Sequence, residues 1–153
     1  MAATSEKLPR VDEHSTTIEA GPDPTWEALL HVVDGSFAST STARVARLLG
    51  CADSESGGPR PLAAGSSIPG FHVPEAERPV RLELAGRHRF SDYALIFWLD
   101  DLGSDRTRLR AETRAEFPGL KGRAYRAMVI GSRGHVLVTR RLLGAVKRSA
   151  ERA

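Results

Sequence analysis

The chain has 153 residues, of which 41% are apolar and 27% charged, and its formal net charge is +3. This size suits one domain with a substantial core, and no apolar run approaches the roughly 20 residues that span a bilayer. A single cysteine, Cys51, excludes an internal disulfide and has no Cys or His neighbour at metal-ligand spacing.

The N-terminal residues 1–11 show no periodicity and predict a flexible tail, which leaves one domain over residues 12–153. The tail lacks a hydrophobic signal core, so we expect a cytoplasmic protein. The next segment, "EHSTTIEA", alternates as a strand does. Pro22 and Pro24 end that strand, because proline cannot donate to a sheet ladder.

Two short helices are predicted after this strand. The first has Asp23 as its cap, Pro24 at its first position and Gly35 just past its end. Its apolar face comprises Trp26, Leu29, Leu30 and Val33. The second lies in "STSTARVARLLGC", with Thr40, Ser41 or Thr42 as its cap and Val45, Leu48 and Leu49 as its apolar stripe.

The segment from Ala52 to Gly70 is rich in Gly, Pro and Ser and predicts a long loop, of the kind that is often functional or mobile. After this loop, apolar residues recur at every second position, as they do in a strand. "PVRLELAG" places Val80, Leu82 and Leu84 on one side of a strand and Arg81 and Glu83 on the other. "RFSDYALIFWLDDL" is apolar on both faces, as in a strand that is covered on both sides.

The clearest strand is "TRLRAETRAEF", which follows the turn residues "GSDR". One face is apolar or small, and we expect it to line a core or a cavity. The other face carries Arg108, Arg110, Glu112, Arg114 and Glu116, and we expect it to meet solvent or a partner.

A helical pattern runs from about Lys121 to Glu151 and predicts one long terminal helix. Glycines weaken it, and two helices broken at "GSRG" are the alternative. Eight Arg or Lys and one acid lie between Arg123 and the end, so the rest of the chain is net −4. Such a helix can meet phosphates or an anionic surface, although a solvated face is the simpler explanation.

This order of elements predicts an α+β protein, because strands run together instead of alternating with helices. The segments "IEAGPDPTWEALLHV" and "FPGLKGRAYRAMVIGSRGHVLVTRRLLGAVKRSAER" resemble the opening strand, helix and long terminal helix of the SRPBCC superfamily, the START-like or helix-grip fold that includes polyketide cyclase-like proteins. The resemblance covers about residues 12–151 and includes no catalytic signature. It implies a curved antiparallel sheet wrapped around a long C-terminal helix, with two short helices after the first strand.

The resemblance also implies an apolar cavity between sheet and terminal helix, the usual form of a small-molecule site. The inward faces of the predicted elements supply the candidate ligand-binding residues, and His72 is placed at the mouth of the long loop. The candidates are Leu82, Leu84, Tyr93, Leu95, Phe97, Leu109, Ala111, Thr113, Ala115, Phe117, Tyr125, Met128, Val129, Ser132, Val136 and His72. The alternative is that these side chains fill the space and form a plain core.

The sequence contains no P-loop, no Gly-x-Ser-x-Gly elbow, no Gly-x-Gly-x-x-Gly and no histidine pair at metal spacing. We therefore expect no metal, no cofactor and no nucleic-acid partner, and the sequence leaves a homodimer open. The first hypothesis is binding of a hydrophobic small molecule such as a lipid, a polyketide or a related metabolite, with Ala52 to Gly70 as a movable lid. The second is a cyclase or dehydratase that uses His72 or a tyrosine as proton carrier. The third is an interaction protein with a filled core and a basic helix.

Overall fold

The computed structural model describes residues 3–129 and 133–152. Its strands are β1 (Arg10–Ile18), β2 (Ser67–Ile68), β3 (Phe71–Glu77), β4 (Arg81–His88), β5 (Ser91–Gly103) and β6 (Arg106–Glu116). Its helices are α1 (Ala3–Glu6), α2 (Pro22–Phe37), α3 (Thr40–Leu48), α4 (Gly119–Val129) and α5 (Gly134–Arg152). None of the helices within those described residues is long and apolar enough to cross a membrane.

The strands form one curved antiparallel sheet in the order β1-β6-β5-β4-β3-β2. The tight turn between β5 and β6 places Ser104 and Asp105 at positive φ, which matches the twist of a hairpin. The predicted α+β class, the antiparallel sheet and the two short helices after the first strand are confirmed. The domain boundary at residue 12 stays a prediction, and β1 already begins at Arg10.

Helices α2 and α5 pack on each other and cover one half of the inner face of the sheet. The predicted apolar face of α2 is buried in full, since Trp26, Leu29, Leu30 and Val33 all belong to the core cluster. From α5 the core receives Leu142, Leu143 and Val146, and from the sheet it receives Ile18 and Leu109 among others.

The helix ends differ from the predicted ones. Helix α2 begins at Pro22 after Gly21, which caps it without a side-chain hydrogen bond, and Gly35 lies inside the helix. Helix α3 is capped by Ser39, whose side chain accepts a hydrogen bond from the Thr42 backbone at 3.1 Å. Helix α2 therefore begins before Pro24 and continues past Gly35, because the packing of its apolar face against the core outweighs the weak preference of single residues.

The C-terminal region consists of two helices, α4 and α5, so the prediction of one unbroken helix was wrong and the alternative of a break at "GSRG" was right. Residues 130–132 lie outside the described residues, and Arg133, which precedes α5, has φ 60°. Of the side chains described in these two helices, only those of α5 belong to the core cluster. Helix α4 is exposed over almost its whole length and lies at the open end of the sheet.

The charged side chains on the outer face of the sheet are less exposed to solvent than predicted. Glu112 is buried, although its face of β6 was predicted to meet solvent or a partner, and Arg81 and Glu83 of β4 are buried as well. Arg81 lies 2.9 Å from carboxylate oxygens of both Glu75 and Glu83, and its guanidinium lies 5.0 Å from the centre of the Trp98 ring. Charged side chains on this face pair with one another and cover the small residues between them, which alternation alone does not predict.

Replacing Leu109 by alanine tests the half of the sheet that α2 and α5 cover. Leu109 is fully buried in the core, so we expect Leu109→Ala to lower the free energy of unfolding by roughly 2–5 kcal/mol. The matched control is Leu48→Ala on α3, where the side chain is 73% exposed and the change should be close to zero. Urea denaturation of both variants measures the difference, and equal effects would contradict this division of the core.

Candidate functional site

The inner face of the sheet has two halves with different environments. Residues that pair directly across antiparallel strands point to the same face. The row formed by Leu82, Phe97 and Ala111 lies in the core, whereas the row formed by Gly86, Tyr93 and Ala115 lies at the open end. Between them, Leu84, Leu95 and Thr113 form a boundary row, which β1 extends with Asp12.

A cavity occupies the open half of the inner face, between the sheet and helices α3, α4 and α5. It has two lobes of about 300 Å³ and 490 Å³. The two lobes share five lining residues, which are Phe37, Phe71, Tyr93, Thr113 and His135. Together they have the size and the mostly apolar lining of a small-molecule site.

Aromatic rings form the wall of the cavity. Phe71 contacts Phe37 and Tyr93 edge to face, with ring centres 5.3 Å apart in both pairs. His88 contacts Tyr125 from α4 at 4.8 Å, and Tyr125 stacks on Phe90 at 5.4 Å. These contacts tie α4 to the sheet through Tyr125, so this side chain closes one side of the cavity.

Tyr93 spans the floor of the cavity, and its hydroxyl donates to the carbonyl oxygen of Gly70 at 2.5 Å. Burial raises the pKa of Tyr93, so the phenol stays protonated. Gly86 lies opposite Tyr93 on β4, and a β-carbon at Gly86 would collide with the tyrosine ring and with the Gly70 carbonyl. Glycine is needed there because the ring crosses directly over the backbone.

His88 is a neutral hydrogen-bonding group on the cavity wall. Burial lowers its pKa, and its Nδ1 accepts a hydrogen bond from the Phe90 backbone at 3.0 Å. A neutral imidazole whose Nδ1 is an acceptor carries its proton on Nε2. His88 can therefore donate one hydrogen bond from Nε2.

An acid–histidine cluster joins the boundary row to α5. Asp12 Oδ2 lies 2.7 Å from His135 Nε2 and 3.2 Å from His14 Nε2. Asp12 Oδ1 and His135 Nδ1 are buried without a hydrogen-bond partner among the described residues. An ionised carboxylate that accepts from Nε2 would leave Nδ1 of His135 as the basic nitrogen, beside both lobes of the cavity.

Seven of the predicted site residues line the cavity and five lie in the core. The lining residues are Tyr93, Leu95, Thr113, Ala115, Phe117, Tyr125 and Met128. The core residues are Leu82, Leu84, Phe97, Leu109 and Ala111. They point to the predicted face, but α2 and α5 cover that part of the sheet.

The remaining four predictions fall elsewhere. His72 is exposed and its Nδ1 lies 3.0 Å from Asp53 Oδ2, away from both lobes. Val136 is half-buried on α5 and does not line either lobe. Ser132 and the side chain of Val129 lie outside the described residues.

Several lining residues were not predicted. Helix α3 contributes Val45 and Leu49, which the sequence analysis placed on an apolar stripe without assigning the stripe to the cavity. Phe71 lies on β3, a strand that the analysis missed because its alternation is interrupted by Pro74. The long loop places Leu62 and Ile68 in the core, and only its end lines the cavity, so its role as a lid stays a prediction.

Similarity to solved structures identifies the fold of this protein. No protein-family model and no curated protein matches the chain. Among solved structures, it is similar to the di-domain ARO/CYC BexL from the BE-7585A biosynthetic pathway, with 11% identity and a TM-score of 0.56 over 92% of this chain and 46% of that one. It is also similar to protein CV1439 from Chromobacterium violaceum, with 11% identity and a TM-score of 0.55 over 92% of this chain and 96% of that one.

A third similar structure is CalU16 from Micromonospora echinospora, with 17% identity and a TM-score of 0.51 over 93% of this chain and 72% of that one. This chain spans about half the length of BexL. At these identities the likeness establishes the fold, which is the α+β helix-grip fold, and says nothing about the ligand.

Removing His88 tests the electrostatics of the cavity wall. Because its pKa is lowered in the folded protein, the unfolded chain binds the proton first as the pH falls below about 6.5, and the native state loses stability there. We expect His88→Gln to lose less stability between pH 7 and pH 5 than the parent protein. His31→Gln, on the exposed side of α2, serves as the control. Denaturant titrations at several pH values measure this slope, and identical slopes would contradict a buried neutral His88.

Proposed function

We propose that this protein binds a hydrophobic small molecule in the two-lobed cavity, and that it belongs to the SRPBCC superfamily. The observation that carries the proposal is the apolar space of the two adjacent lobes, which share five lining residues between the open half of the sheet and helices α3, α4 and α5. A filled core would leave no such space, so the cavity argues against the third hypothesis. Burial of the ligand would supply most of the affinity, at roughly 25 cal/mol per Å² of apolar surface.

The lining favours a ligand with a flat ring. Phe71, Tyr93 and Tyr125 present edges and faces against which an aromatic ring can pack. Polar residues line the same space, among them Thr113 and His88, whose Nε2–H is able to donate a hydrogen bond. A compound of this description has fused or conjugated rings and one or two carbonyl or hydroxyl oxygens, which suits a polyketide-like metabolite better than a long-chain lipid.

Filling the cavity at Ala115 tests ligand binding. Ala115 is buried in the wall of the first lobe, and Ala115→Trp would occupy the space beside Tyr93. We expect this variant to lose binding of the fluorescent probe 1-anilinonaphthalene-8-sulfonate and to lose any small molecule that native mass spectrometry detects on the freshly purified protein. Ala64→Trp, at an exposed site outside the cavity, should bind as the parent does. Unchanged binding by a folded Ala115→Trp protein would rule out this cavity. Ala111 is unsuitable for the same experiment, because it is packed in the core.

A second candidate function is an enzyme of the cyclase or dehydratase type that uses the same cavity. The observation that favours it is the pair formed by Asp12 and His135 beside both lobes, with the neutral His88 on the wall. In such an enzyme the buried Nδ1 of His135 would have to become accessible from the cavity to remove a proton next to a ligand carbonyl, and His88 would donate a hydrogen bond to the carbonyl oxygen. This assignment replaces His72, which lies outside the cavity.

Proton exchange on a bicyclic aromatic ketone tests this candidate. We expect the protein to accelerate exchange of the acidic C–H hydrogens of 2-tetralone for deuterium in D2O, followed by mass spectrometry. His135→Gln should lower the acceleration by roughly 10²-fold or more, while binding of the ketone persists. His72→Gln is the matched control and should exchange normally. Binding without accelerated exchange would exclude the catalytic candidate and leave the binding function intact.

A further inference from the structure

The helical segments around the cavity mouth, namely α3, α4 and the first half of α5, carry positive charge and no negative charge. Residues 117–150 contain eight Lys or Arg and no Asp or Glu. On α4 these are Lys121, Arg123 and Arg126, and at the start of α5 they are Arg140 and Arg141, all of them exposed. The remaining helix at the mouth, α3, adds two more exposed arginines and likewise has no acid.

Within the described part of the chain, four of these arginines have no ion-pair partner. None of Arg123, Arg126, Arg140 and Arg141 forms an ion pair among residues 3–129 and 133–152. The arginines of the outer sheet face behave differently, as Arg110 shows by lying 2.7 Å from Asp100. The mouth therefore presents charge that is available to a partner from outside.

Exposed apolar side chains stand next to these charges. Leu120 on α4 is 81% exposed and precedes Arg123 by three positions. Leu137 on α5 is also exposed and precedes Arg140 and Arg141 by three and four positions. Residues at these spacings lie on the same side of a helix, so each exposed leucine is flanked by arginine. On α3, Leu48 stands four positions after Arg44 in the same way.

The apolar residues are continuous with the cavity. Val45 from α3 lines the first lobe, and Met128 from α4 and Val138 from α5 line the second, yet all three are half or more exposed to solvent. The exposed residues of α3, α4 and the first half of α5, which we call the mouth surface, therefore join the opening of an apolar cavity to a cationic, partly apolar exterior.

We propose that the mouth surface docks on an anionic lipid bilayer, so that an apolar ligand passes between the membrane and the cavity without crossing water. A bilayer with anionic headgroups supplies negative charge and an apolar layer over the wide area that three helices span. An acidic protein would satisfy the cations but offers no general partner for six exposed apolar side chains on three separate helices.

Vesicle sedimentation tests the docking. The protein is mixed with vesicles of phosphatidylcholine alone or of phosphatidylcholine with phosphatidylglycerol. We expect binding to the anionic vesicles only, and weaker binding as the salt concentration rises. Absence of binding to phosphatidylglycerol vesicles at low salt would overturn the proposal.

Two double variants with the same net charge identify the surface. Arg123→Glu with Arg126→Glu alters the mouth surface, and we expect it to weaken vesicle binding by roughly tenfold or more. Arg148→Glu with Arg152→Glu places the same charges at the far end of α5, where both arginines are exposed, and should bind nearly as the parent does. Equal weakening by both pairs would mean a general charge effect and would overturn the assignment to the mouth.

The apolar part of the surface and the nature of the partner are tested separately. Leu120→Ser should weaken vesicle binding severalfold without changing its salt dependence, because it removes only an apolar contact. If soluble polyglutamate binds as tightly as the vesicles and Leu120→Ser has no effect, the partner is an acidic protein and the lipid proposal fails.

Docking does not depend on an occupied cavity, so Ala115→Trp should keep vesicle binding even as it loses the fluorescent probe.

Discussion

Helices α2 and α5 pack on each other and on one half of the inner sheet face, and the remaining features of the protein follow from where that packing stops. An antiparallel sheet with an apolar inner face must bury that face. Here α2 supplies a complete apolar stripe, and α5 supplies Leu142, Leu143 and Val146 from its second half. Among the described side chains, none of α4 and none of α5 before Leu142 belongs to the core cluster, so the sheet extends beyond its cover.

The uncovered half of the sheet explains why polar groups gather at one place. Thr113 and Asp12 occupy the boundary row, where the core ends and the cavity begins. A carboxylate in the core would be costly, whereas at the boundary Asp12 can accept hydrogen bonds from His14 and His135. The same position places Asp12 and His135 beside the cavity. A ligand in the cavity would lie next to this pair, so substitutions of the same cavity residues can test both binding and proton transfer.

The charges of the protein divide into two populations. On the outer sheet face, arginines and carboxylates neutralise one another, and Arg81 and Arg110 also flank the Trp98 ring. At the mouth, Arg123, Arg126, Arg140 and Arg141 form no ion pair with any residue that the structure describes, and they stand beside exposed leucines. The small net charge of +3 conceals this division, because the acids lie almost entirely in the part of the chain that forms the sheet, its N-terminal helices and the loops.

The sequence by itself determined the class of fold and the inward side of each main strand. The alternation in β6 and the helical spacing in α2 depend only on the local geometry of the chain, so they could be read directly. Ala111 and Ala115 show the limit of that information. They are the same residue type on the same strand and the same face, yet one lies in the core and the other in the cavity wall.

Only the tertiary structure decided that difference, because it depends on how far α5 extends over a strand that is distant in sequence. The same holds for Asp12 and His135, which are 123 positions apart and meet only when β1 pairs with β6 and α5 crosses them. It holds also for Arg81 and Glu83, whose alternation indicated a face but not its exposure. Periodicity reports the side of an element on which a residue lies, and long-range packing decides what covers that side.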